Sequence, residues 1–268
     1  MSSRVRRVRR ADAIDPALPT PAPSSVPVAA AARPYSHGAV ALLWVVLALV
    51  WFLPLDTPHL FNPDEGRYAE IPREMVVSRD WVTPRLDAIK YFEKPPLQYW
   101  ATGVAYQAAG EHAWTTRLWT ALCGFLGLGL TFALGRRLFG TRAALFALIV
   151  QAGALLYCAL ARIATLDMGL CFTLQLAMTA LALLVHRPVP ADAGPAAASA
   201  AESAAAPAGG TAAAPGAPAA LPGWLAPLLL GVGVALAMLS KGLIGILIPA
   251  VVAVLFMLMY RDARLLLT

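Results

Sequence analysis

Apolar runs long enough to matter to a bilayer recur through this chain, and they leave few folds open to it. They cover 39–55, 116–138, 143–160, 168–185, 224–239 and 243–260. A helix needs about 20 mostly apolar residues to cross a bilayer, and every backbone group within it must be paired internally. The expected fold is therefore an all-α polytopic membrane protein with about six spans. Composition agrees: 59% of the 268 residues are hydrophobic and only 13% are charged, against about a quarter charged in soluble domains. The net charge of +6 does not point to nucleic acid. Its basic residues flank apolar runs, as topology signals do, and no basic run is interleaved with aromatics. Cys123, Cys158 and Cys171 lie inside apolar runs without metal-ligand spacing and read as small buried hydrophobes.

Between the runs the chain divides clearly. Residues 1–38 form a basic tail followed by a Pro/Ala-rich stretch, expected to be a disordered cytoplasmic segment rather than a signal peptide. Residues 39–187 make a transmembrane region that contains a long polar loop at 56–114. Residues 188–222 are almost all Ala, Pro, Gly and Ser and read as a low-complexity cytoplasmic linker. Residues 223–268 hold a last helical pair, after which the chain is expected to be truncated. The segment 96–110 is helical in pattern but too short and polar to span. It reads as an interfacial or re-entrant helix within the loop.

Lys and Arg set the orientation. With six spans, the basic tail, the turn at 135–142, the HRP at 186–188 and the YRDAR at 260–264 all fall on one side, which is then cytoplasmic. Three polar interruptions fall together on the opposite, exoplasmic side: the 56–114 loop, the turn holding Arg162 and Asp167, and Ser240-Lys241-Gly242. The loop also concentrates charge, with nine of the chain's 15 acidic residues lying from Asp56 to Glu111. Chemistry is expected there.

Within the loop, Asn62-Pro63-Asp64-Glu65 has the form of a helix start. Asn suits the cap, Pro the first helical position, and Glu three residues on completes a capping box. Capping explains Asn62 and Glu65 but leaves Asp64 and Arg67 without a structural reason. A carboxylate on an ordered helix near the membrane suits a general base toward an acceptor hydroxyl, and Arg67 suits a phosphate. Glu93-Lys94 reads either as a surface ion pair or as a site in which Lys94 meets a phosphate and Glu93 a polar group or divalent metal. The metal is the weaker expectation, since one carboxylate does not define a site. Arg162 and Asp167 are expected to pair with each other, because ionisable groups beside a membrane core need partners. Lys241 is expected to snorkel to the interface or to meet an anionic lipid. No nucleotide loop, GxSxG or His-based metal spacing occurs.

The stretch PDEGRYAEIPREMVVSRDWVTPRLDAIKYFEKPPLQYW (63–100), with ARIATLDM at 161–168 and LSKG at 239–242, resembles the first exoplasmic loop and later exoplasmic elements of the ArnT-like lipid-linked sugar transferases. These add 4-amino-4-deoxy-L-arabinose to lipid A and belong with the protein O-mannosyltransferase relatives, the glycosyltransferase 39 group of the GT-C fold. The resemblance implies a GT-C-like bundle with juxtamembrane helices in the loop. It also implies inverting transfer from a polyprenyl-phosphate sugar to lipid A, another glycolipid or a protein hydroxyl, on the periplasmic side of a bacterial inner membrane. It makes Asp64, Glu65 and Arg67 the catalytic candidates, with Asp64 as base and with Arg67 and Lys94 on the donor phosphate. Glu93, Arg162, Asp167 and Lys241 are then structural or substrate-facing. The resemblance covers 39–260, while the family has about twice as many spans and a C-terminal soluble domain. A truncated, non-catalytic lipid-binding membrane protein is the alternative expectation.

Overall fold

A computed structural model describes residues 36–57, 59–61, 63–185 and 222–260. The expected tail, apart from 36–38, and the expected linker, apart from Pro222, lie outside the described residues. The described residues are helical throughout, apart from turns and one two-stranded hairpin.

Helix α1 (His37–Phe52) is capped by Ser36, whose hydroxyl accepts from the Ala39 amide. Pro54 then tightens the chain into a 3-10 turn at Leu53–Asp56. In the loop, α2 (Asp64–Ser78) carries Asp64 and Glu65 in its first turn, where the positive end of the helix dipole favours them. Strands β1 (Arg85–Leu86) and β2 (Ile89–Lys90) pair antiparallel. Their two-residue turn holds Asp87 and Ala88 at φ 53° and 65°, which a tight hairpin requires at both central positions. The Glu74 carboxylate accepts from the Ala88 amide and braces that turn. Helix α3 (Leu97–Ala109) starts after Pro95-Pro96 and stops at Gly110. Its 13 residues reach only about 20 Å, too short to cross, as expected.

Helix α4 (Ala113–Gly153) is two limbs in one run, because Gly140 at φ 85°, ψ 170° breaks the helix. The break falls inside the expected basic turn. The expected continuous third span, 143–160, is corrected: the second limb ends at Gly153, Ala154 is extended, and α5 (Leu155–Leu160) follows as a separate short helix. Helices α6 (Leu166–Val185), α7 (Leu225–Lys241) and α8 (Ile244–Tyr260) complete the described bundle. Three helices, at 37–56, 113–153 and 166–185, are long and apolar enough to cross a membrane, and α7 and α8 are shorter apolar helices.

The core is built by close approach. Trp51 donates to the Ala121 carbonyl at 3.0 Å and packs against Gly124, where a Cβ would stand 2.9 Å from its ring. Gln175 on α6 donates to Gly127 O (2.9 Å) and to Thr131 Oγ1 (2.7 Å). Thr131 in turn donates to Gln151 on the second limb, so one polar chain ties three membrane segments. Gly233 brings α7 against α6 backbone to backbone, since a Cβ there would lie 2.7 Å from the Ala177 amide nitrogen. Gly233→Val is expected to force these helices apart and cost about 1–3 kcal/mol. A lower unfolding midpoint in detergent checks this, and an unchanged midpoint contradicts it.

Candidate functional site

The loop folds on its own small core. Tyr68, Ile71 and Met75 of α2 meet Tyr99 of α3 and Leu166 of α6, with Trp81, Leu86, Tyr91 and Trp100 packed around them. This core docks the loop onto the end of the bundle, so all three polar interruptions gather at one end, as the Lys/Arg distribution implied. Ala164 and Asp167 come from the turn before α6 and the start of α6. Lys241 comes from the end of α7.

Along one face runs a line of charged and hydroxyl groups. Asp64 is the most open, its side chain 66% exposed, and it stands 3.8 Å from Arg67. Arg67 donates to the Tyr91 hydroxyl at 3.4 Å. Tyr91 donates to Glu93 at 2.6 Å, and Glu93 stands 3.5 Å from Lys94. The structure therefore brings together four of the residues singled out from sequence, Asp64, Arg67, Glu93 and Lys94, through a fifth that was not, Tyr91. The Tyr91 hydroxyl bond, followed by Lys94 and Arg67, holds the Glu93 carboxyl below its usual range. The same hydroxyl raises Arg67, so this guanidinium stays charged. Tyr68, the next residue along α2, is pushed up to about 12, first by burial and then by Tyr91. It stays protonated.

Glu65 sits one residue from Asp64 but in a different setting. Pro63 is the cap of α2, so Glu65 is its second helical residue, and the expected capping box is not formed as drawn. Asn62 lies outside the described residues. The Glu65 carboxylate, fully buried, accepts from Phe61 N at 2.9 Å and Ala164 N at 2.7 Å. Arg117 donates to it twice, Nε at 2.8 Å and Nη2 at 2.7 Å. Arg117 also donates to Leu55 O at 2.9 Å and His59 O at 3.1 Å. Burial alone raises the Glu65 carboxyl, but Arg117 and the two amides outweigh it and leave it below its ordinary value. With every oxygen committed, Glu65 holds the site in place rather than meeting substrate. Arg117 is not among the residues that the sequence singled out, since it lies within the apolar run 116–138. The signal was there: an ionisable group inside the first turns of an apolar helix needs a named partner.

The expected pair of Arg162 with Asp167 is corrected. Arg162 turns back to α1, donating to Val50 O at 3.0 Å with its guanidinium 5.9 Å from the Trp51 ring. Asp167 instead pairs with Lys241. The reason is geometric: α6 starts between the two residues, and its contact with α7 at Gly233 brings Lys241 beside Asp167. Lys241 thus has a carboxylate partner rather than only the interface. Asp167 lies within electrostatic reach of Tyr68, so this pair borders the line of groups above. Glu93 belongs to no group of three metal-type ligands among the described residues. The group that exists there is Glu70, Glu74 and Asp87. Glu70 is held by Arg73 at 2.7 Å and Glu74 by the Ala88 amide, which accounts for both without an ion.

Apolar helices long enough to cross a membrane, with charged groups paired at one end of the bundle, define a class, the multi-pass helical membrane proteins. Residues 93–197 match the family model described as dolichyl-phosphate-mannose-protein mannosyltransferase. The chain is 30% identical over 230 residues to an undecaprenyl phosphate-alpha-4-amino-4-deoxy-L-arabinose arabinosyl transferase of Pseudomonas fluorescens, covering 82% of this chain and 34% of that protein. A transferase of the same name from Sodalis glossinidius is 28% identical over 229 residues, 84% of this chain and 35% of its own. The crystal structure of ArnT from Cupriavidus metallidurans bound to undecaprenyl phosphate superposes with a TM-score of 0.68 at 36% identity, covering 85% of this chain and 37% of that one. The chain spans about a third of the length of these relatives. Over that shared part the chain is ArnT-like in sequence and fold, as the loop's resemblance implied.

Proposed function

We propose that this chain carries the catalytic edge of a glycosyltransferase that moves a sugar from a polyprenyl-phosphate donor to a hydroxyl on the exoplasmic face. The observation that carries this reading is the line Asp64–Arg67–Tyr91–Glu93–Lys94 on the docked loop. Asp64 accepts the proton of the acceptor hydroxyl. The acceptor oxygen bonds to the anomeric carbon from the face opposite the phosphate, and the carbon–oxygen bond to the phosphate breaks, so the configuration inverts. The leaving phosphate gathers negative charge, and fixed cations at Arg67 and Lys94 stabilise it. Tyr91 and Glu93 keep those cations apart and aimed until the phosphate competes for them. The relatives' names support an undecaprenyl-phosphate aminoarabinose donor, and a glycolipid such as lipid A is the acceptor that fits their chemistry. The bacterial relatives support an inner-membrane location, and the Lys/Arg distribution supports an orientation with the loop in the periplasm.

The test reconstitutes the chain in lipid nanodiscs with undecaprenyl-phosphate aminoarabinose and lipid A. Transfer is expected, and an absence of both donor binding and transfer overturns the reading. Binding without transfer selects the lipid-binding alternative. Tyr91→Phe is expected to raise the donor KM about three- to tenfold, the worth of one hydrogen bond, with little change in the unfolding midpoint. An unchanged KM removes Tyr91 from the site.

A further inference from the structure

Helix α3 carries a set of polar side chains that the reading above does not use. Gln98, Tyr99 and Thr102 are 2%, 0% and 0% exposed. Both amide atoms of Gln98, the Tyr99 hydroxyl and the Thr102 hydroxyl have no hydrogen-bond partner among the described residues. Buried polar groups are almost always paired, and an unpaired one gives up its hydration for nothing. Four such atoms within two turns of one helix call for an explanation, and core packing does not supply one, since Leu, Phe and Val would fill the same space without that penalty.

Their position supplies a ligand-based reason. Gln98 follows Lys94 by four residues, across Pro95-Pro96. Tyr99 stacks on Tyr68, ring centroids 6.3 Å apart, and its hydroxyl lies within electrostatic reach of Arg67, Tyr91 and Glu93. The set therefore adjoins the groups assigned to the donor phosphate. It is also chemically distinct from them, being neutral and offering donors and acceptors in equal measure: an amide with both, and two hydroxyls that act either way. That is the complement of the hydroxyls of a sugar ring, and a poor complement to a phosphate.

We propose that Gln98, Tyr99 and Thr102 form the seat for the sugar ring of the donor, a neutral polar subsite beside the phosphate-handling cations. This rests on the donor reading above. Solvent does not reach these atoms in the present conformation, so the ring enters as the first turn of α3 draws back. That turn has no side-chain cap, and its withdrawal breaks the bond that Trp100 Nε1 donates to Trp81 O at 2.7 Å and the stacking of Tyr99 on Tyr68.

The experiment uses the full chain in nanodiscs and two probes, undecaprenyl phosphate and undecaprenyl-phosphate aminoarabinose. Gln98→Leu with Thr102→Val keeps shape and removes polarity. It is expected to weaken the sugar-bearing lipid about tenfold or more, as loss of two to three hydrogen bonds would, and the bare lipid by less than about twofold. The unfolding midpoint is expected to stay level or rise, because unpaired buried groups have been removed. A selective loss of the sugar-bearing lipid supports the subsite. Equal loss of both lipids, or loss of neither, overturns it, and equal loss with a lower midpoint assigns these groups a structural role instead. If the unaltered chain binds both lipids equally, the subsite fails while the donor reading stands. If it binds neither, the donor reading fails and takes the subsite with it.

Discussion

Asp64→Asn is expected to cut sugar transfer by roughly 10²–10⁴-fold, the usual worth of a positioned general base, while leaving insertion and folded yield unchanged. The two halves of that expectation come from the same geometry. The Asp64 side chain is 66% exposed, and its nearest cation is 3.8 Å away, too far for a hydrogen bond and screened by solvent. Asn has nearly the same shape, so little structure depends on the change. What it removes is the ability to take a proton, and no neighbour replaces that. Tyr68 is held protonated by burial, Glu65 is consumed by Arg117 and two amides, and Glu93 is occupied by Tyr91 and Lys94. The measurement is transfer from undecaprenyl-phosphate aminoarabinose by matched amounts of membrane-inserted protein. Transfer within about threefold of the unaltered chain takes Asp64 out of the base's role.

What the sequence made legible, and what it hid, follows from the range of the interactions. Apolar length and the Lys/Arg flanks are local, so the membrane-helical class and the gathering of three polar interruptions at one end were legible, although three rather than six helices are long and apolar enough to cross among the described residues. Asp64 and Arg67 stood out because the expected capping box gave a reason only for their neighbours, although the structure spends Glu65 on Arg117 rather than on a cap. Pairings across the bundle were not. Asp167 and Lys241 are 74 residues apart in sequence, and their meeting depends on Gly233 letting α7 close on α6, which no local pattern announces. Arg162 was assigned to Asp167 by proximity in the chain, whereas the start of α6 between them sends the two side chains to different helices. Tyr91 lies within the motif at 63–100 but carries no charge, and it meets Arg67 and Glu93 because of where the hairpin returns the chain. The break at Gly140 was placed correctly as a turn. The later break at Ala154 was not, because the apolar run continues through it without a proline or a charge.

Arg117→Ala is expected to be the most destabilising single change in the chain's polar end, by about 3–5 kcal/mol, because it leaves the Glu65 carboxylate buried without its counter-charge. The loss reaches further than one pair. Arg117 also holds the carbonyls of Leu55 and His59, and Glu65 holds the amides of Phe61 and Ala164. The pair thus pins together the 3-10 turn after α1, the entry to α2, α4 and the turn before α6, and with them the positions of Asp64 and Asp167. Arg117→Ala is therefore expected to lower both the unfolding midpoint and transfer, unlike Asp64→Asn, which lowers transfer alone. Acid reports on the same hub. The folded Glu65 carboxyl lies below its ordinary value of 4.5, so its contribution is fully present above about 4.5 and fades as the pH falls through the lowered folded value. The unaltered chain is expected to lose stability over that acid range, and Glu65→Gln to lack this part of the loss. Parallel acid profiles for the two proteins, or a midpoint that Arg117→Ala leaves in place, show that the loop is held to the bundle by its apolar core instead.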